Sequence, residues 1–308
     1  MANTATAEIL STDSKRGLAM AMMVLSSVVI SFGGLIMRNL ETAAPWQINF
    51  YRAVGLMGAI SMILLLRYRS RLFTTIKNIG RIGIIGGALL ASAGIMHIQA
   101  MTYTSIANAM FVLGAIPFFA ALFARLFLGE KLRPVTLWTM CIAATGLSVM
   151  VFEGFRTGAV YGNLMAMLTA ITFASYAVIL RKKRQQEMLP TLLVSSVIII
   201  TIAAVATGGD LQASAHDMLL CFAWGAALSG VANYLFIYAS RHLAAAETTL
   251  FMLLEFALAP LWVWWFISET PGNWTILGGM LIITAVALRA LIELIQRSPK
   301  QQTVSGPV

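Results

Sequence analysis

Pro117-Phe118-Phe119-Ala120-Ala121-Leu122 opens an apolar stretch that runs to Leu128-Gly129-Glu130-Lys131-Leu132, where glycine and charge stop it. The chain writes a similar stretch again: Leu253-Leu254-Glu255-Phe256 and Pro260-Leu261-Trp262 lead to Ile267-Ser268-Glu269. Glu269 lies 139 positions after Glu130, and the same offset sets Gly86-Gly87-Ala88-Leu89-Leu90 against Gly225-Ala226-Ala227-Leu228-Ser229 and Ala107 against Ala246. Earlier in each half the offset becomes 145, pairing Met20-Ala21-Met22 with Met165-Ala166-Met167 and Pro45 with Pro190. The chain therefore reads as two halves of one pattern.

The solvent for that pattern is lipid. Of 308 residues, 59% are hydrophobic and 11% charged, too few charges to cover a water-soluble domain. A membrane-crossing helix takes roughly 20 apolar residues. Apolar runs fall at 17–37, 45–66, 82–101, 103–126, 135–152, 161–180, 190–207, 218–239, 244–267 and 274–292. Runs three and four meet around 100–104, and at about 1.5 Å per residue one helix through both would be far too long for a single crossing. The expected fold is an all-α membrane protein of about ten transmembrane helices, arranged as two inverted five-helix repeats. Its parts are a cytoplasmic N-terminal tail at 1–16, a first repeat at 17–152, a second at 161–292 and a cytoplasmic C-terminal tail at 293–308. An odd number of spans per half makes the halves enter the membrane from opposite sides, as in secondary transporters whose site lies near the midplane.

Basic residues orient the chain. With ten spans and both termini in the cytoplasm, 18 of the 21 Lys and Arg residues fall on the cytoplasmic side. Arg38 and Arg156 fall outside, and Arg52 falls within a span. The formal charge of +9 is thus topological and indicates anionic headgroups, not nucleic acid. Trp46, Trp224, Trp264, Trp265 and Trp274 fall near outer span ends and Trp138 near an inner one. The expected location is a bacterial inner membrane. Lys15-Arg16 precede a run too long for a signal peptide, so the first span is expected to stay in the protein.

The quoted stretches resemble the signature of the EamA branch of the drug/metabolite transporter superfamily, over about 17–292. Gly278-Gly279 and the arginine in Asn49-Phe50-Tyr51-Arg52 share in the resemblance. It departs at Phe256, where the family often has proline, and at Ser268, where glycine is usual. The resemblance implies the ten-span inverted repeat and transport of small metabolites such as amino acids, nucleotide-like compounds, vitamins or toxic amphiphiles.

Ionisable groups inside spans are expensive and mark paired or substrate-facing positions. Glu255 falls near the midplane of its span. It reads as a cation- or amine-binding group or a proton site, or else as a structural partner of Arg52. Trp262, seven residues on, shares its helical face. Arg52 can pair internally, reach outward or bind an anion. His97 suits proton coupling by its usual titration range, or packs as a neutral ring. Under the 145 offset Ser27 matches Thr172 and Ser31 matches Tyr176, giving the first helix of each half a polar stripe. Such hydroxyls also satisfy themselves on their own helix carbonyls. Asn108, Asn233, Tyr234 and Tyr238 are further candidates. Glu130 and Glu269 are expected to fix span ends, and Glu247 to reach the cytoplasmic interface.

The chain has no nucleotide-binding GxxxxGK[ST] loop, no HExxH and no Cys/His metal spacing. No enzyme activity and no cofactor are expected. The expected partners are a small-molecule substrate, membrane lipids and protons as a candidate coupling ion. Ala143-Ala144, Gly146 and Gly278-Gly279 permit close helix contact within the fold or in a homodimer. The expectation is a secondary transporter, an exporter of an amphipathic metabolite such as an amino acid or related amine. The alternative is a lipid-linked head-group flippase.

Overall fold

The computed structural model describes residues 2–129, 158–243, 248–249, 251–274, 276–281, 283–285 and 288, with scattered positions between 138 and 152. Every regular element among them is helical. The elements are α1 (Ala2–Ser31), α2 (Gly33–Arg38), α3 (Pro45–Tyr68), α4 (Leu72–Asn78), α5 (Gly80–Tyr103), α6 (Ile106–Leu113) and α7 (Ile116–Leu128). The second half supplies α8 (Val160–Lys182), α9 (Pro190–Ala206), α10 (Ala215–Ala223), a π-helical turn at Trp224–Ser229, α11 (Gly230–Ala239) and α12 (Leu253–Ile267).

Six helical stretches among the described residues are long and apolar enough to cross a membrane: Arg16–Arg38, Pro45–Tyr68, Gly80–Tyr103, Ile106–Leu128, Val160–Lys182 and Ala215–Ala239. Pro190–Ala206, Leu253–Ile267 and Ile276–Ala285 are apolar but shorter. Large apolar side chains stand exposed on these helices, Leu66 at 72%, Val205 at 76% and Trp265 at 78%, as a lipid-facing surface requires. Half of the run expected at 135–152 falls outside the described residues, as do Glu130, Glu247, the C-terminal tail and parts of runs nine and ten.

Two breaks and one start depart from the runs read in the sequence, and the break expected near 100–104 is found. The first run is two helices, because the chain turns at Phe32 between α1 and α2. The third and fourth separate at Thr104, which is extended, and Ser105 then caps α6 by accepting from the Asn108 amide at 3.1 Å. The fourth run is itself interrupted at Gly114-Ala115, just before Pro117, whose ring removes a helical N–H. The eighth begins at Ala215 rather than 218, since Ser214 Oγ accepts from the Asp217 amide.

The halves interlock. In the first half α5 packs on α8, and correspondingly α11 of the second half packs on α1. The contact of α5 with α9 is matched by that of the π-turn and α10 with α3; the contact of α7 with α8 is matched by that of α12 with α1. Helices α3 and α9 pair with each other, as do α6 and α12. Gly225 permits the closest crossing: a Cβ there would lie 1.9 Å from the Arg52 carbonyl oxygen, and one on Gly55 would lie 2.2 Å from that of Phe222. Equivalent ends are capped alike, Gly129 after α7 and Ser268 after α12 both adopting the left-handed conformation with φ of 69° and 61°.

Polar clusters tie both ends of the bundle. At one end Arg38 forms a two-pronged pair with Glu269 (2.6 and 3.2 Å), and Glu269 also accepts from the Ile106 amide at 3.1 Å. There too the fully buried Asp217 carboxylate accepts from the amides of Glu41, Thr42 and Ala43 and from the Thr42 hydroxyl. At the other end Glu187 accepts from Tyr68 (2.5 Å), Arg241 (2.8 Å) and the Leu189 amide (3.2 Å), joining α3, the α8–α9 loop and the end of α11.

Candidate functional site

Between these clusters lies a cavity of about 130 Å³, lined from both halves. The first half contributes Ser26 and Ser27 from α1, Arg52 from α3, and Gly94 and His97 from α5. The second contributes Thr169 and Phe173 from α8, Ser229 at the end of the π-turn, Asn233 and Phe236 from α11, and Glu255 and Phe256 from α12. The wall is thus an apolar, partly aromatic surface carrying a few polar groups, the usual makeup of a small-molecule site.

Each polar group is held by local structure. Arg52 donates from Nη2 to the Gly94 carbonyl at 3.1 Å, and its guanidinium lies over the Trp224 ring at 5.4 Å. The small Gly94 lets the guanidinium approach α5, and Gly225 lets the α3 backbone approach the π-turn. Ser26 Oγ donates to the Ala232 carbonyl and Ser27 Oγ to that of Phe251, each at 2.9 Å, so α1 is tied to α11 and to the segment just before α12. Asn233 donates to the Ser229 carbonyl at 2.9 Å, which leaves its own carbonyl oxygen available. Ser229 Oγ is buried without a hydrogen-bond partner among the described residues. Glu255 is 7% exposed, and among the described residues its carboxylate neither accepts a hydrogen bond nor pairs with Arg52. An internal Arg52–Glu255 pair, one of the two sequence readings, is therefore not formed.

Of the residues singled out in the sequence, Ser27, Arg52, His97, Asn233 and Glu255 come together here, while Ser31, Asn108, Thr172, Tyr176, Tyr234, Tyr238 and Trp262 lie outside the lining. Trp262 shares the helical face of Glu255 but stacks on Phe32 at 5.2 Å and donates to Ser31 Oγ at 3.0 Å. The turn after α1 places Phe32 against it. Ser31 donates in turn to the Val28 carbonyl at 2.7 Å. Tyr176 is fully buried, with its hydroxyl 3.0 Å from that of Thr191, and Thr172 bonds its own helix at Leu168. Asn108 joins α6 to α8 through Asn163 and also donates to Thr104 Oγ1 at 2.8 Å. Tyr238 packs against the His242 ring at 5.5 Å. Thr169 and Ser229 line the cavity but were not singled out. Ser229 lies one helical turn before Asn233, and that i, i+4 pairing was the available signal.

A helical bundle with apolar flanks, and a largely apolar cavity carrying a few polar groups between interlocked halves, defines a multi-pass membrane protein. The model of the EamA-like transporter family matches twice, over residues 17–152 and 160–291, and the chain belongs to that family. It is similar to the pseudopaline exporter CntI of Pseudomonas aeruginosa strains PAO1 and UCBPP-PA14, each 23% identical over 280 residues, covering 88% of this chain and 94% of the relative. A protein of known crystal structure shares the fold with a TM-score of 0.69, at 17% identity, over 90% of this chain and 98% of its own.

Proposed function

We propose that this chain is a secondary exporter of a small amphipathic metabolite, such as an amino acid or related amine, moved by alternating access through the cavity between its halves. The observation that carries the reading is the cavity wall: Arg52 of one half and Glu255 of the other face one space without pairing. A charged group within the bilayer costs at least a few kcal/mol, so two such groups facing a common cavity mark a place where a polar solute binds. The tied clusters at the two ends, Arg38–Glu269 with Asp217 and Glu187 with Arg241, support a mechanism in which each end opens in turn. Similarity over nearly the whole length of an exporter supports export as the direction.

In this reading the chain spans a bacterial inner membrane ten times, as repeats at 17–152 and 161–292 with both tails in the cytoplasm. The Glu187 end is then cytoplasmic and the Asp217 end external. Glu255 or His97 carries the proton if export is proton-coupled. The test is counterflow with purified protein in liposomes preloaded with amino acids, amines and other small metabolites. Exchange of at least one, reduced at least tenfold in Glu255→Gln, is expected. No exchange of any compound, with or without a pH gradient, would overturn the proposal.

A further inference from the structure

We infer that the cavity recognises its substrate by two opposite charges, a carboxylate held at Arg52 and an ammonium held at Glu255, with the Ser229 hydroxyl as a neutral contact. This rests on the proposed transport reading and narrows its substrate to the class of zwitterions.

The Arg52 guanidinium has five N–H donors, and among the described residues one of its nitrogens meets a protein acceptor, the Gly94 carbonyl. The face of the same group is covered by the Trp224 ring. Those two contacts fix its plane, and the group lines the cavity with the donor fork whose geometry matches a carboxylate. Among the described residues no carboxylate fills it: Glu187 and Glu269 are engaged at opposite ends of the bundle, and Asp217 is occupied by the 41–43 amides. Glu255 offers the converse, a buried carboxylate on the lining whose hydrogen-bonding capacity is unused by the described residues.

A substrate with one charge satisfies only half of this wall. A simple amine would meet Glu255 but bring a like charge into the same low-dielectric space as Arg52; a simple acid would meet Arg52 and be repelled by Glu255. A zwitterion neutralises both. Ser229 Oγ adds a third directional group, being buried on the lining with no partner among the described residues. Phe173, Phe236 and Phe256 supply the apolar wall for the rest of the molecule, so amphipathic amino acids fit better than strongly polar ones.

The test compares matched triads in the reconstituted wild-type protein: leucine, leucinamide and 4-methylpentanoate, with the corresponding phenylalanine, methionine and valine sets, beside the wider metabolite panel. In at least one triad the zwitterion should exchange at least tenfold better than both singly charged analogues. Arg52→Gln should then bring the amide level with the amino acid, and Glu255→Gln should do the same for the des-amino acid. Wild-type selectivity alone decides if either variant fails to fold. An amide or acid exchanged as well as its parent, or exchange confined to compounds bearing one charge or none, overturns the two-pole assignment and leaves the exporter reading standing. Exchange of nothing overturns both.

Discussion

Gly225→Ala tests whether the α3 crossing fixes the site. The added Cβ would lie 1.9 Å from the Arg52 carbonyl oxygen and 2.9 Å from the Leu56 amide nitrogen. Ordinary contact begins at 3.4 Å, so about 1.5 Å must be recovered. The obstructing atoms are backbone, and no rotamer change can yield the room. Overpacking a well-packed interior costs about 1–3 kcal/mol, and a backbone obstruction of this size belongs at the upper end, about 3 kcal/mol. The π-turn and α3 must separate, drawing Arg52 away from Gly94 and Trp224. The assay is the unfolding midpoint in a detergent-to-dodecyl-sulfate titration, with transport measured on the folded fraction. Gly58→Ala is the control: it sits on α3, the helix that carries Arg52, with nothing within 4 Å of the added Cβ, and should be neutral or stabilising by about 0.5–1 kcal/mol. If Gly225→Ala unfolds and transports like the wild type, Arg52 is not held as described.

Asp217→Asn keeps the side chain's shape but sets an amide N–H₂ either against the Glu41 amide or against those of Thr42 and Ala43; a loss of about 1–3 kcal/mol is expected in the same unfolding titration. Ser268→Gly should instead stabilise, by about 1 kcal/mol, because φ of 61° strains a residue with a Cβ; an unchanged midpoint would argue against that backbone. Burial raises the Glu187 carboxyl, but the Tyr68 hydroxyl, the Arg241 guanidinium and the Leu189 amide together hold it below the usual carboxylate range. Because the folded value is the lower one, this stabilisation is present above the ordinary glutamate range and is lost as pH falls through the depressed value. Stability measured from pH 7 downward should therefore fall less steeply in Glu187→Gln, with Arg67 and Arg241 still facing the site.

What the sequence made legible was whatever leaves a period or a punctuation mark. Helix starts at Pro45 and Pro190 match the described ends because proline fits the first turn of a helix. Gly225 and its counterpart Gly86 were legible as a pair, but Gly225 alone of the two sits at a close crossing, a Cβ on Gly86 lying 3.5 Å from Ile179 and Tyr176. The breaks at Phe32 and Gly114 and the π-turn at Trp224–Ser229 were not, because hydropathy averages over a turn and does not register a change of helical pitch. Helical faces read from one strand of sequence also omit what comes across the gap. Trp262 and Glu255 do share a face, yet Phe32 covers one and the cavity meets the other. Tyr176 similarly finds Thr191 on a neighbouring helix, a contact that no spacing within α8 announces.

The most direct test of the central claim is a cysteine at Asn233 in a background lacking Cys141 and Cys221. Asn233 lines the cavity, whereas the two native cysteines lie outside its lining. The reconstituted variant is treated with a small thiol-reactive reagent, and exchange of a transported metabolite is measured against the extent of labelling. If the cavity is the transport path, exchange falls in proportion to labelling, and saturating metabolite slows the reaction at least several-fold. Complete labelling with exchange undiminished would contradict the account, because a filled cavity cannot carry the substrate.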